Sequence, residues 1–463
     1  MNTNEIDKIY IGSNEVTKLY KGDVLIWQKE SPPVGRTIPI TLNSGNTIIN
    51  GNSLPYESGT TQLQDGDTIV IQGGETDFLQ FTNFNLASGK ATVKNNGLVE
   101  VANGMHVTGV TKNIDFNFYN QDGINEYGII VYWHQEGTPA RVWFDTTDQG
   151  NWENVTFRGF NEQLYDDGIG SSIFQFGTNT PLSYNNGAGT LCSDGLTVSH
   201  VRLWMDSEEP TFVFQDIIKF PGFPDNDTGH HKNLTIDNII MDALGEDIET
   251  LILARNVENL VISNFELTRY NNDKIPGTFH ARLIKIGGNG RIFNVKSTDY
   301  YGNICQIYPL RRIGQSLDWK IHNIIGYDSP MYSLFEAQLD PSNLATGFFE
   351  SAPIIIYHAT AKQLGYSEQF RSDIIDQFNY TGAEVYNSVI DDCYDVGIGV
   401  GASNYIYPDV ESVDPNINTT TFIPNTGSPL IGQGGRVPEW ASLDYYGNTR
   451  PVSGATIGAC EPV

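Results

Sequence analysis

Between His231 and Ser297 a short pattern recurs: Asn233-Leu-Thr-Ile-Asp-Asn-Ile239, then Asn259-Leu-Val-Ile-Ser-Asn-Phe265, then Arg291-Ile-Phe-Asn-Val295. In each phrase apolar side chains alternate with polar ones at the period of two that puts one face of a strand inward. Aligning the second Asn of each phrase sets Asn238, Asn264 and Asn294 at intervals of 26 and 30 residues. A few alternating residues, a turn and a longer loop repeated at that interval are what one coil of a parallel β-solenoid requires.

The pattern extends both ways. Upstream lie Asn113-Ile-Asp-Phe-Asn-Phe118, Asn154-Val-Thr-Phe-Arg-Gly-Phe160 and Gly195-Leu-Thr-Val-Ser-His-Val201; downstream lie Trp319-Lys-Ile-His-Asn-Ile324 and Val385-Tyr-Asn-Ser-Val-Ile390. Aligned positions near 118, 159, 200, 238, 264, 294, 323 and 388 are 41, 41, 38, 26, 30, 29 and 65 apart. The last gap reads as two coils, and the 41-residue gaps as coils carrying long loops. The Asn positions suit ladders, or turns whose side chains satisfy their own backbone. An ordinary β-sandwich of irregular strands is the alternative, and the regular self-similarity argues against it. Only Ser367 to Phe378 carries a helix-like period, so the chain is expected to be all-β.

The first residues have a different rhythm. Lys8-Ile-Tyr-Ile-Gly12 predicts a short strand, and Val16-Thr-Lys-Leu-Tyr20 and Val24-Leu-Ile-Trp27 flank the turn signal Lys21-Gly22-Asp23. About 20 residues of hairpin cannot bury a core alone, and Lys29-Glu-Ser-Pro-Pro-Val-Gly35 reads as a linker. The stretch from Ile9 to Trp27 resembles the module that opens many structural proteins of tailed bacteriophages, particularly those infecting Bacteroidetes hosts. That resemblance implies attachment to a virus particle; a small cap on the solenoid is the other reading.

Two further segments resemble the right-handed parallel β-helix proteins of the pectate-lyase-like superfamily. Asp65-Gly-Asp-Thr-Ile-Val-Ile-Gln-Gly-Gly74, with Phe78-Leu-Gln-Phe81 and Ala91-Thr-Val-Lys-Asn-Asn-Gly97, is similar to their opening coils. Ser428-Pro-Leu-Ile-Gly-Gln-Gly434, Leu443-Asp-Tyr-Tyr-Gly-Asn-Thr-Arg-Pro451 and Ile457-Gly-Ala-Cys-Glu461 are similar to their closing segment. This chain departs from the usual closing phrase at Gly432, where an Asp is common, and at Cys460, where an aromatic is common. Arg450 could pair with Asp444 or Glu461 and pin the tail over the end of the last coil, where an uncovered edge would be sticky. The expected organisation is an attachment module over 1–30, a linker leading into the β-helix over 31–63, a right-handed parallel β-helix over 64–400 and a closing segment over 401–463.

Charge narrows the function. The formal net charge of -28 disfavours nucleic acid and anionic membranes. Carboxylate clusters could hold Ca²⁺, although no cofactor is required and no metal site is assigned. Cys192, Cys305, Cys393 and Cys460 are widely spaced, which indicates neither a zinc site nor a disulfide framework and fits assembly in a reducing compartment. Met1 to Lys8 lacks the apolar core of a signal peptide, and no stretch reaches membrane-spanning length. Assembly in a host cytoplasm and release by lysis would suit such a chain.

Polysaccharide chemistry on a β-helix needs carboxylates on adjacent coils, or a base beside a cation for lyase chemistry. Acidic candidates are Asp166-Asp167, Glu208-Glu209, Asp225 with Asp227, Glu246-Asp247 with Glu249, and Asp391-Asp392 with Asp395. Asp166-Asp167, Gly229-His230-His231 and Arg282-Leu-Ile-Lys285 resemble, in order, the Asp-Asp, Gly-His-Gly and Arg-Ile-Lys motifs of polygalacturonase-like glycoside hydrolases. The resemblance implies Asp166, Asp167 and His230 as catalytic and Arg282 and Lys285 as the grip on a substrate carboxylate. The Asn-Thr-Asp motif is missing, His231 replaces Gly, Leu283 is an insertion and the spacings are long. Polar turns around Asp166 and Asp227 are the plainer reading. Trp133, Trp143, Trp152 and Trp204, with Tyr132, His134, Tyr300, Tyr301 and Trp319, could stack on sugar rings or simply pack.

The expected protein is therefore a virion appendage, a tail spike or fibre that recognises host-surface polysaccharide, contacts other virion proteins through residues 8–28 and forms a homotrimer. A virion-associated depolymerase, hydrolase or lyase, is one alternative, and a purely structural virion protein is another.

Overall fold

Ile69, Val93, Phe116 and Phe157 hold the same register position in four successive parallel strands, and the rank continues through Val198 and Ile236 to Ile356. All are buried. Side chains of this kind suit a pleated surface, and stacking each on a like neighbour takes both out of water. Phe116 and Phe157 lie face to face, with centroids 4.8 Å apart and planes 8° from parallel, the spacing of adjacent strands. Each fully buried side chain of this size contributes about 1.5–3 kcal/mol.

The computed structural model describes strands between residues 9 and 28, and then residues 35–120, 126–132, 142–145, 152–164, 174–176, 191–205, 213–220, 230–242, 247–268, 282–300, 302–329, 333–339, 349–364, 374–391, 404–407 and 413–462, apart from single positions. A full coil contains three main strands, which build three parallel sheets here termed A, B and C in chain order, and in the middle coils a short fourth parallel ladder runs at the C–A corner from Thr111–Lys112 to residues 257–258. Sheet A runs from Thr37–Ile40 to Ala383–Tyr386, sheet B from residues 74–76 to Tyr405–Tyr407, and sheet C from Asn46–Asn50 to Ile375–Phe378. The fold is a parallel β-helix, as the alternation predicts. Antiparallel pairing occurs where Leu310–Arg312 meets Phe349–Ser351, on excursions between sheets C and A of adjacent coils.

Ahead of the solenoid, Ile9–Ile11 pairs with Asn14–Val16, and Lys18–Lys21 with Val24–Gln28, both antiparallel. The pairing of Lys18–Lys21 with Val24–Gln28 is as expected, but Val16 pairs with Ile9 instead of continuing into Tyr20; the turn signals Gly12-Ser13 and Gly22-Asp23 lie outside the described residues. The helix-like window also resolves differently. Ile375–Phe378 is a strand of sheet C, with Ile375 buried beside Phe335; burial on a sheet outweighs a weak helical period. Residues 367–373 of that window lie outside the described residues.

The recurring Asn sits at the corner between sheets A and B. Asn238, Asn264, Asn294, Asn323 and Asn387 have φ between +49° and +56°, and His200 and His358 take the same conformation in their coils. Asn enters this left-handed region at lower cost than most residues, which is why it punctuates the strands. Gly159 fills the corner one coil before His200 with φ +85°, and a Cβ there would stand 2.1 Å from the Phe118 carbonyl carbon. The 65-residue gap does contain an additional coil, whose corner is His358.

The corner side chains form a chain of hydrogen bonds along the solenoid. Asn323 Nδ2 donates to Asn294 Oδ1 at 3.0 Å, Asn294 Nδ2 to Asn264 Oδ1 at 3.0 Å, and Asn264 Nδ2 to Asp237 Oδ1 at 2.7 Å. Arg450 Nη2 donates to the Oδ1 of Asn323 at 3.2 Å. A guanidinium thus ends the chain at one side and a carboxylate at the other, so all amide dipoles point one way and polarise one another. Asn294→Ala is expected to cost about 2–3 kcal/mol, combining a left-handed Ala with two lost hydrogen bonds. Urea unfolding measures it, and Asn294→Gly should recover the backbone share.

A second Asn series marks the corner from sheet C to sheet A. Asn233 Nδ2 donates to Asp194 Oδ1 at 2.7 Å, and Asn259 Nδ2 to Asn233 Oδ1 at 2.8 Å.

Residues 413–462 lie along the A–B corner. The Leu443 carbonyl accepts from Asn323 Nδ2 at 2.8 Å, Gly435 N donates to Asn387 Oδ1 at 2.7 Å, and Ala459 N donates to Thr360 Oγ1 at 2.9 Å. Trp440 packs between His322 and Tyr357, and Phe422 against Tyr327. Arg450 takes Glu461 as its ion-pair partner at 2.7 Å. Asp444 instead accepts from the backbone of Tyr446, Asn448 and Glu461. The tail is thus pinned along the flank of several coils, not across the last one. Ile325 and Val389 on the outside of sheet B explain the choice: they are apolar and are covered there by Phe422, Leu430 and Ile457.

Candidate functional site

Strand alternation that turns apolar residues into the coil turns their neighbours outward, and in register these neighbours form files along the solenoid. On sheet C one file reads Gln80, His106, Trp143, Gln175, Lys219, Leu253, Lys285, Gln306, Glu336 and Asp376. Its last part concentrates polar chemistry. Gln306 Nε2 donates to Glu336 Oε1 at 2.9 Å and to Gln338 Oε1 at 2.7 Å, while Asn303 Nδ2 donates to Glu336 Oε2 at 3.2 Å. Tyr308 OH donates to Gln306 Oε1 at 3.1 Å.

Asn303 and Gln306 are only 3% and 1% exposed, whereas Glu336, Gln338 and Lys285 are half-buried. Both oxygens of Glu336 are therefore held by buried amides while the residue still reaches solvent. Asn303 Oδ1 is buried without a hydrogen-bond partner, and an unmet buried acceptor costs about 1–3 kcal/mol. Beneath the strip lies Cys305, whose thiol is pushed well up by burial and serves as an apolar core residue.

The other expected site residues spread over the molecule. Asp166, Asp167 and Trp133 lie outside the described residues. The backbone of His230 stands beside Leu191 at the C–A corner, and that of Arg282 stands beside Asn303 at the opposite margin of sheet C. His230 and Arg282 are thus separated by roughly 16 Å along the strand direction, at about 3.3 Å per residue. Lys285 lies on the polar file next to Gln306. Trp143 shares that file, four strands before Lys285 and so about 19 Å away. Trp152 holds a register position between Thr111 and Ser193, at the C–A corner, and Trp204 lies on sheet B between Gln163 and Asp242. The three tryptophan positions fall on three different parts of the coil.

Several other candidates prove structural. Trp319 and Tyr300 are core residues. His231 is buried, with Nδ1 2.7 Å from Ser193 Oγ and its ring edge-on to Phe220. Asp391 is buried and ion-paired with Lys362. Among the described residues, no group of three or more His, Cys, Asp or Glu is placed to hold a metal ion, and no helix is long and apolar enough to cross a membrane. A cavity of about 330 Å³ opens early in the solenoid, lined by Ser44, Glu75, Thr76, Asp77, Glu100 and Ala102; its lining has no cation and no amide.

Glu336 was not among the sequence candidates because it stands alone in Leu334-Phe-Glu-Ala-Gln338, whereas those candidates were clustered acids. Its place on the outer face of a strand was legible from alternation with Phe335 and Ala337. Its amide partners were not.

No protein-family model matches the chain, and no curated protein does. Among solved structures, pectate lyase Pel9A is similar over 90% of this chain and 96% of its own, at 12% identity and a TM-score of 0.30. The Streptococcus pneumoniae surface protein and adhesin PfbA is similar over 73% and 91%, at 10% identity and a TM-score of 0.24. The Azotobacter vinelandii mannuronan C-5 epimerase AlgE4 A-module is similar over 76% and 90%, at 12% identity and a TM-score of 0.18. Likeness this distant carries no argument about function.

Proposed function

We propose that this chain is a glycan-recognising appendage of a tailed-bacteriophage particle, a tail spike or fibre component assembled in the host cytoplasm and released by lysis. The observation that carries the glycan part is the strip of Lys285, Gln306, Glu336 and Gln338 on sheet C. Its donors and acceptors are locked by buried neighbours. Sugar hydroxyls need such fixed amides and carboxylates, since a preorganised site loses little side-chain entropy on binding. The attachment part rests on the phage-like residues 9–27, whose described strands form two antiparallel pairs. The reading requires no cofactor, and it takes the working form as a homotrimer.

Full-length protein is expected to bind surface polysaccharide of its host, with Gln306→Leu weakening binding about tenfold or more by freeing Glu336 and Gln338 from their fixed positions. Removal of residues 1–30 should leave that binding intact and abolish incorporation into particles. A truncated chain that still enters particles would refute the attachment role.

A further inference from the structure

We propose that Arg291, Lys320, Tyr357, Arg436 and Trp440 form a second saccharide subsite, on the outer face of sheet A beside the tail, which accepts a sugar ring carrying a negative charge as carboxylate or phosphate. It lies apart from the strip on sheet C and does not depend on it.

Two files of outward positions run side by side here. One reads Phe293, His322, Tyr357 and Tyr386, and the other Arg291, Lys320, Ile355 and Glu384. The first is aromatic throughout, with Phe293 stacked on His322 at 5.1 Å and Tyr357 on Tyr386 at 4.8 Å. Trp440 of the tail stands against it, 5.6 Å from His322 and 5.4 Å from Tyr357, at 87° to the tyrosine ring. Tail packing at this point centres on Val437, Ala441 and Ala455, which are buried. Tyr357, Tyr386 and Trp440, at its margin, stay partly exposed. Aromatic rings held at the surface of a rigid sheet suit the apolar face of a sugar.

Charge decides which sugar. Arg291 and Arg436 are exposed and Lys320 is half-buried, and among the described residues no carboxylate pairs with any of the three. In a chain of net charge -28, three such cations in one place set a local field of the opposite sign. All three surround the same rings. Lys320 Nζ lies 5.9 Å from the centre of the Trp440 ring. Burial, Arg450 and Arg291 together hold the His322 imidazole down. The Tyr357 hydroxyl is pushed up by burial and by Glu384, against the opposing pull of Arg436. The carboxylates at this place are Glu439, next to Trp440 in the chain, and Glu384, which accepts from Tyr386 OH at 2.7 Å. A pyranose ring laid on Trp440 and Tyr357 would bring its charged substituent among Lys320, Arg436 and Arg291, where charge-assisted hydrogen bonds are about twice as strong as neutral ones.

The test titrates full-length protein with methyl glucuronide, glucose 6-phosphate and methyl glucoside, followed by ligand-observed NMR. Both anions are expected to bind about tenfold or more tightly than the neutral glucoside, and the tighter of the two identifies the charged group that is read. Lys320→Gln and Arg436→Gln should each weaken anion binding about tenfold, as the loss of one charge-assisted hydrogen bond requires, at an unchanged melting temperature. Lys94→Gln removes the same charge from the outer face of sheet A, far along the file from Trp440, and should change nothing. Gln306→Leu on sheet C should change nothing either. The proposal is overturned by glucoside binding equal to that of the anions, by anion binding that the Lys320 and Arg436 variants leave unaltered, or by equally tight binding of triglutamate, which offers charge without a sugar ring. Absence of binding by all three sugars overturns it too, and leaves the sheet C reading standing, because host polysaccharide tests that strip separately.

Discussion

Arg450→Ala is expected to release the C-terminal tail from the solenoid at a cost of about 3–5 kcal/mol, the range for removing one member of a buried ion pair. The Arg450 side chain is buried against Glu461 at 2.7 Å, and its Nη2 reaches the carbonyls of Gly458 at 3.2 Å and Ala459 at 2.6 Å. Removal leaves a largely buried carboxylate, several carbonyls and the last Asn of the corner chain short of partners. The tail has no strand in the three sheets, and holds on through these groups and a modest apolar cluster. Limited proteolysis should therefore cut Arg450→Ala within residues 413–462 under conditions that spare wild type. Glu461→Ala in the same background should add little, because the two residues act as one unit. A tail equally resistant in wild type and variant would show that the apolar contacts alone suffice.

Acid should loosen the same flank well before it protonates most carboxylates. The His322 imidazole is pushed down from 6.5 to about 3, first by burial and then by the nearby charges of Arg450 and Arg291. His358 is pushed well below its ordinary value, first by burial and then by Arg450 and His322. The folded protein thus binds fewer protons than the unfolded chain between pH 6.5 and about 3, so stability is full above 6.5 and falls as pH falls through that window. At pH 5 the loss from His322 alone is about 2 kcal/mol, and His358 adds to it. Urea midpoints between pH 7.5 and 5 measure the slope. His322→Phe should flatten it by about half, since a second phenyl ring can keep the stack on Phe293, now at 5.1 Å and 3°. A midpoint independent of pH over this range would mean that these histidines are not buried in solution.

Both predictions concern contacts that no local reading of the chain could supply. Arg450 was expected to pair with either Asp444 or Glu461. The choice of Glu461 follows from Asp444 being occupied by its own turn. The link from Arg450 to Asn323 spans 127 residues. The Trp residues illustrate the same limit: each was recognisable as an aromatic that could meet a sugar, yet their register positions fall on different parts of the coil.

What the sequence by itself determined is the coil. Alternation selects which residues turn inward, and the left-handed corner demands Asn, Gly or an occasional His, both within a few residues of chain. The corners at Asn238, Asn264, Asn294 and Asn323 were therefore legible without any partner. Only the tertiary structure decided which coil residues meet. Neighbours across a coil are separated by a full turn of chain whose length varies with each inserted loop, so Gln306 finds Glu336 30 residues on and the tail finds Asn323 across 120. Those meetings are set by stacking of the whole core, which no local pattern records.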